Sequence, residues 1–209
     1  MRVLLLNQFY IPDTAATGQL LADVAEEMAA QGHEVHVICS RRRYAGGGDA
    51  LAAREVINAV HVHRVGATGF GRGTKVGRLF DWLSFYILAM WRALRLAKMD
   101  VCVALTTPPF ISLIGLLLSK LKGTHNVIWV MDVYPEIAVA YGVLPRKGFF
   151  YRIFARLNRV LYRNAAAVIS LGEVMTERLR SLGAPNSIIH TVHNWVPRES
   201  VGQLDGRTV

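Results

Sequence analysis

The sequence predicts an α/β chain built on a doubly wound, mostly parallel sheet. Three observations lead there. Short, mainly apolar runs recur at residues 3–6, 34–39, 101–105, 126–131, 166–171 and 187–192, and such runs mark strands covered on both faces. Helical periodicities lie between most of them. Strand and helix therefore alternate through the whole length, through connections that favour parallel, right-handed crossovers.

Taken in order, residues 3–6 form the first strand and residues 7–17 a loop carrying Pro12 and Asp13. A helix follows over 18–31, with Leu20, Leu21, Val24, Ala25 and Met28 on one face and Gly32 past its end. Residues 34–39 are the second strand. Residues 40–54, with Arg41, Arg42, Arg43 and the glycines 46–48, read as a loop. The alternation Val-His-Val-His-Arg-Val over 60–65 predicts a strand with one wetter face. A glycine-rich connection over 66–77 leads to a long helix near 79–98. A strand at 101–105 then runs into Thr106-Thr107-Pro108-Pro109, followed by a helix over 110–121. A strand at 126–131 ends at Asp132. Helices over 148–163 and 173–182 flank the strand at 166–171, and a last strand spans 187–192. The expected organisation is one Rossmann-like domain, 1–195, followed by a polar tail or the start of a linker, 196–209.

The 209 residues carry a formal net charge of +9 while 52% are apolar and only 19% charged. Ordinary soluble domains run nearer ~45–50% and ~25%. A chain both greasy and basic suits an anionic lipid surface; nucleic acid would account for the charge alone. The apolar stretches 82–91 and 108–118 are each roughly ten residues, against the ~20 a spanning helix needs. No signal peptide is evident, so the expectation is a cytoplasmic protein, peripheral on the inner face of the cytoplasmic membrane. Cys39 and Cys102 read as buried free thiols in a reducing compartment. The pairs His33/His36 and His61/His63 lack a Cys or carboxylate cluster beside them, so no metal site is expected.

Ligands of open parallel sheets bind beyond the carboxyl ends of the strands. There, Thr17-Gly18 opens a helix whose free amides suit a phosphate; the competing reading gives Gly18 to helix packing and Thr17 to capping. Asp132 and Glu136 flank Tyr134-Pro135 and suit proton transfer or charge stabilisation; alternatively Asp132 caps a short helix and Glu136 faces solvent. The hydroxyls of Thr106 and Thr107 either bind a ligand or merely precede a proline-started helix. Residues 72–98 carry Arg72, Lys75, Arg78, Arg92, Arg95 and Lys98 against one acid, Asp81, interleaved with Phe80, Trp82, Leu83, Phe85, Tyr86, Ile87 and Trp91. Residues 146–163 carry six basic residues and no acid, with Phe149, Phe150, Tyr151, Phe154 and Leu157 between them. The apolar stripes of both helices are expected to face the core, and the excess positive charge an anionic surface.

The motifs Leu-Leu-Leu-Asn-Gln-Phe-Tyr-Ile-Pro-Asp (4–13) through Thr17-Gly18, Gly32-His33-Glu34-Val35, Ala104-Leu105-Thr106-Thr107-Pro108-Pro109, Trp129-Val130-Met131-Asp132-Val133-Tyr134-Pro135-Glu136 and His193-Asn194-Trp195 together resemble retaining GT-B glycosyltransferases of family 4. The likeness is to bacterial surface-polysaccharide transferases of the colanic-acid and fucosamine-transferase type, and it runs from Met1 to about Trp195. It implies the N-terminal, acceptor-binding domain of a metal-independent hexosyltransferase-type enzyme, with a nucleotide sugar as donor and no further cofactor. Carried over by position, Gly18 would offer its amide to the donor diphosphate and Asp132 would sit near the reacting sugar; Thr17 beside Gly18 and Glu136 as the second carboxylate join them from the reading of the strand ends. Thr106, Thr107 and Tyr134 would line the acceptor side, and Asn194 would mark the hinge. The implied acceptor is a polyprenyl-linked glycan. Family members grip the donor with a C-terminal domain bearing a basic pair and two glutamates seven residues apart. Nothing after Asn194 resembles it, so the isolated chain is expected to be inactive. The alternative is a non-catalytic membrane-associated module that retains the fold. A dinucleotide oxidoreductase is excluded: there is no GxGxxG, and the second strand runs into Cys39-Ser40-Arg41 rather than an acid.

Overall fold

A computed structural model describes residues 1–43, 50–66, 75–146 and 148–196, with side chains 75, 76, 78 and 79 excepted. The glycine cluster 46–48, most of the connection 66–77, the side chains of Lys75 and Arg78, and the tail 197–209 lie outside the described residues. Among the described residues eight strands form one sheet in the order β3-β4-β2-β1-β5-β6-β7-β8. They are β1 (Arg2–Leu6), β2 (Glu34–Ser40), β3 (Arg54–Ile57), β4 (Val60–Val65), β5 (Val101–Ala104), β6 (His125–Trp129), β7 (Ala167–Ser170) and β8 (Ile189–Thr191). Every pairing is parallel except β3 with β4. The helices are α1 (Ala16–Ala30), α2 (Lys75–Arg95), α3 (Ser112–Lys122), α4 (Glu136–Ala140), α5 (Phe149–Arg163) and α6 (Glu173–Ser181).

The winding reverses at β1, which lies between β2 and β5. This switch point opens the crevice in which such sheets hold ligands. Alternate strand residues feed opposite layers. Val3, Leu5, Val35, Val37, Val103 and Trp129 pack with α1 on one face. Leu4, Leu6, Ile38, Cys102 and Ala104 pack under α2 and α3 on the other, and Ile128 and Val168 continue that layer under α5 and α6. Both cysteines are free and buried as expected, and burial pushes each thiol up to about 12.

Three local readings change. The stretch read as loop up to residue 54 ends in a hairpin: Asn58 and Ala59 both take left-handed conformations (φ 48° and 63°) and turn β3 onto β4. Asn-Ala hid it, because Asn-Gly is the usual signal. Helix α1 begins at Ala16, two residues early, with Ala15 at the cap position and no side-chain capping bond. Thr17 is therefore not the cap.

The third concerns the apolar stripes. Helix α2 buries Phe85, Ala89 and Ala93. Phe80, Trp82, Leu83, Ile87, Leu88, Met90, Trp91 and Leu94 are exposed. On α5, Leu161 and Tyr162 are buried but Phe149, Phe150, Ile153 and Val160 are exposed. The expectation that these stripes face the core thus holds for a minority of their residues. A narrow contact of Phe85 and two alanines lets α2 lie close to the sheet, which leaves most of its circumference outside. Lys122 secures the end of α2 by donating to the carbonyls of Leu94 and Leu96, both at 2.7 Å. Among the described residues no helix is long and apolar enough to cross a membrane.

Candidate functional site

The rim above the switch point is stitched together by main chain. Gln8 donates its amide to Thr107 O (2.8 Å), and its carbonyl accepts the Ser40 amide (2.8 Å). The β1 exit is thereby fixed to the exits of β5 and β2. At the next exit the Thr106 hydroxyl oxygen accepts the amides of both Met131 and Asp132, each at 3.0 Å. That hydroxyl sets where Asp132 begins. Thr107 stands beside it, half-buried, at a cis bond to Pro108.

Asp132 is half-buried, and that burial raises its carboxyl above the ordinary aspartate range. No side-chain bond from Asp132 caps α4, whose cap position is Pro135. Tyr134 is half-buried nearby. Burial first, then the Asp132 charge, raises its phenol. Its ring lies 6.4 Å from that of Phe110, and its carbonyl accepts the side-chain amide of buried Asn158. Thr106, Thr107, Asp132 and Tyr134 thus share one wall.

On the other side of the switch point, Asn7 is fully buried at the end of β1. Its amide nitrogen donates to Phe9 O (2.8 Å) and reaches Thr17 Oγ1 (3.4 Å). Its Oδ1 has no partner among the described residues. The amide of Gly18 donates to Ala15 O (2.8 Å), and a Cβ there would stand 3.2 Å from the Phe9 carbonyl carbon and the Tyr10 nitrogen. Glycine is needed at 18 because the loop lies directly on the helix. The amides of Ala16 and Thr17 precede the first intrahelical bond and are the ones facing outward along the helix axis.

Glu136 stands apart from this wall. Its Oε1 accepts from Arg178 (2.6 Å) and from the Tyr151 hydroxyl (3.0 Å), joining α4 to α5 and α6. It does not face solvent as in the simpler reading, and its partners are Arg178 and Tyr151 rather than Asp132. Asn194 is exposed after β8. Trp195 beside it stacks on Trp129 (5.8 Å between centroids) and donates to Asp23 of α1 (2.8 Å), so this segment folds back over α1.

Sequence reasoning passed over Arg64, whose side chain is wholly buried. It pairs with Glu55 and donates to Ile11 O (2.6 Å), holding the β1–α1 loop from beneath. A lone arginine in an alternating strand was its only signal. Gln8 had none, since it acts through its backbone. Among the described residues no group of three or more His, Cys, Asp or Glu is placed to hold a metal ion.

A mostly parallel sheet wound in both directions from β1, with a polar wall at its carboxyl edge, is a Rossmann-like architecture of the kind on which GT-B glycosyltransferases are built. The chain belongs to the glycosyl transferase 4-like domain family, whose model matches residues 16–195. It is 29% identical over 108 residues to the probable glycosyltransferase WbjE of Pseudomonas aeruginosa, a match covering 51% of this chain and 27% of that protein. The fold matches HepE of Anabaena, solved in complex with UDP and glucose, at TM-score 0.58 and 16% identity over 94% of this chain and 45% of that one. A sucrose-phosphate synthase from Thermosynechococcus elongatus matches at TM-score 0.65 and 10% identity, over 94% and 48%. The chain thus spans about a quarter of the curated relative and under half of these two structures.

Proposed function

We propose that this chain is the acceptor-side domain of a retaining glycosyltransferase of surface-polysaccharide synthesis. It works on the inner face of the cytoplasmic membrane, transferring a sugar from a nucleotide sugar to a polyprenyl-linked glycan. The observation that carries this reading is the exposed apolar and basic surface of α2 and α5. Phe80, Ile87, Trp91, Phe149 and Phe150 are each more than half exposed on helices otherwise rich in arginine. Arg95 lies 3.7 Å over the Trp91 ring, an apolar and cationic pairing suited to an anionic leaflet. A lipid-linked acceptor delivered along such a surface would meet the wall of Thr107, Asp132 and Tyr134. Asp132, its carboxyl raised by burial, is the group suited to accept a proton or steady charge there. Thr17 and Gly18 would border the donor phosphates through the α1 amides, Glu136 would act only through α4, and Asn194 would lie at the hinge. The reaction needs no resident metal in this reading, and a C-terminal domain supplies the grip on the nucleotide.

Vesicle co-sedimentation and transfer assays test it together. Residues 1–209 should pellet with anionic vesicles and be released by salt. Sugar transfer to a polyprenyl-diphosphate-linked acceptor should appear only when a donor-binding domain is present, unaffected by chelator. Equal pelleting with neutral and anionic vesicles, or full turnover by residues 1–209 alone, would overturn it. The second reading, a binding module that retains the fold, draws on the structural partners of Thr106 and Glu136. It requires Asp132→Ala to leave function intact.

A further inference from the structure

A polar chain crosses the base of the sheet under α2 where apolar packing would be expected. Arg92, on α2, donates from Nη2 to His63 Nδ1 at 2.9 Å. His63 Nε2 lies 2.9 Å from His36 Nδ1, and His36 Nε2 lies 3.0 Å from Glu34 Oε1. A guanidinium only donates and a carboxylate only accepts, so both ends fix the direction. His63 accepts at Nδ1 and donates from Nε2; His36 accepts at Nδ1 and donates from Nε2 to Glu34. Only two neutral imidazoles, both protonated at Nε2, satisfy all three joints.

We infer that this relay is a proton-sensitive latch holding the C-terminal half of α2 to the sheet. A proton added to His63 sets an N–H against the Arg92 guanidinium. A proton added to His36 either parts the two imidazoles or forces His63 into the other tautomer, which again turns an N–H toward Arg92. Every singly protonated state therefore breaks a joint of the relay, and a proton on His63 breaks the joint between the sheet and α2.

The surroundings of His63 favour its neutral state. Burial, then Arg92, His36, Arg54 of β3 and His61 of β4, lower His63 to about 4. The His61 ring lies 4.9 Å from that of His36. Arg95, on the same helix, adds a cation beside Arg92, and Arg2 of β1 draws on Glu34 through its other oxygen at 2.9 Å. A folded-state value below the ordinary ~6.5 means that the unfolded chain binds the proton more readily. The latch is thus fully present above about pH 6.5 and weakens as pH falls toward about 4. The second anchor, Lys122 on the α2 carbonyls, involves no histidine and stays closed.

The inference is independent of the membrane reading, because its readouts are made on the soluble chain. Nitrogen NMR of the imidazoles should find both rings as Nε2–H tautomers at pH 7.5, with His63 titrating far below the ordinary range. Hydrogen exchange corrected for intrinsic rates should show residues 88–95 losing protection about tenfold between pH 7.5 and 5, while α1 is unchanged. His63→Gln cannot titrate and should abolish that step. Should this variant not fold, the NMR assignment decides alone. A His63 that titrates near 6.5, or a pH step that survives His63→Gln, would overturn the latch.

Discussion

Helices α1 and α2 cover opposite faces of the same strands and do so by different means. α1 buries Gly18, Leu20, Leu21, Ala22 and Ala25, and among its described residues none is an exposed large hydrophobic. α2 is longer and carries more large apolar side chains, yet among its described side chains the buried hydrophobics are Phe85, Ala89 and Ala93 while eight large apolar ones face out. α1 owes its seat to apolar burial. α2 is held by a thin apolar seam plus the polar anchors Lys122 and Arg92. Apolar content alone therefore does not say which way a helix faces. A helix apolar over most of its circumference has more such surface than one sheet can cover, and the remainder is available to another medium.

The largest effect should come from α1. Leu21→Ala removes a fully buried side chain and should cost about 2–5 kcal/mol in urea unfolding; less than 1 kcal/mol would break the comparison. Next is Gly18→Ala, where a methyl would press on the Phe9–Tyr10 backbone at 3.2 Å. A net loss of about 1–2 kcal/mol is expected, reduced by alanine's better helix propensity. The smallest is Ile87→Ala on α2, 53% exposed, with a stability change within about 0.5 kcal/mol. The same variant should weaken vesicle binding, which would sharpen the contrast between a helix seated in protein and one presented outward.

Most of the sheet was legible because strands covered on both faces carry mainly apolar runs, as in Leu4-Leu5-Leu6 and Val127-Ile128-Trp129. The hairpin was not, since Ala59 takes a left-handed conformation that its residue type does not advertise. Within the site, Asp132, Tyr134 and Thr107 were findable from their place just after strands. The bracket that Thr106 makes, the buried guanidinium of Arg64 and the stitching by Gln8 were not, because each depends on which strands become neighbours. The histidine relay shows this most plainly. His36 and His63 sit on different strands, and the single carboxylate that ends the relay, Glu34, is two residues from His36 in the chain.

The two thiols have a practical consequence. Cys39 and Cys102 are the chain's only cysteines, both wholly buried and pushed up to about 12, so at neutral pH neither offers a thiolate to an alkylating dye. A cysteine introduced in place of Ile87 would then be labelled alone, with no background to remove. An environment-sensitive fluorophore there would report directly whether that flank of α2 enters a bilayer.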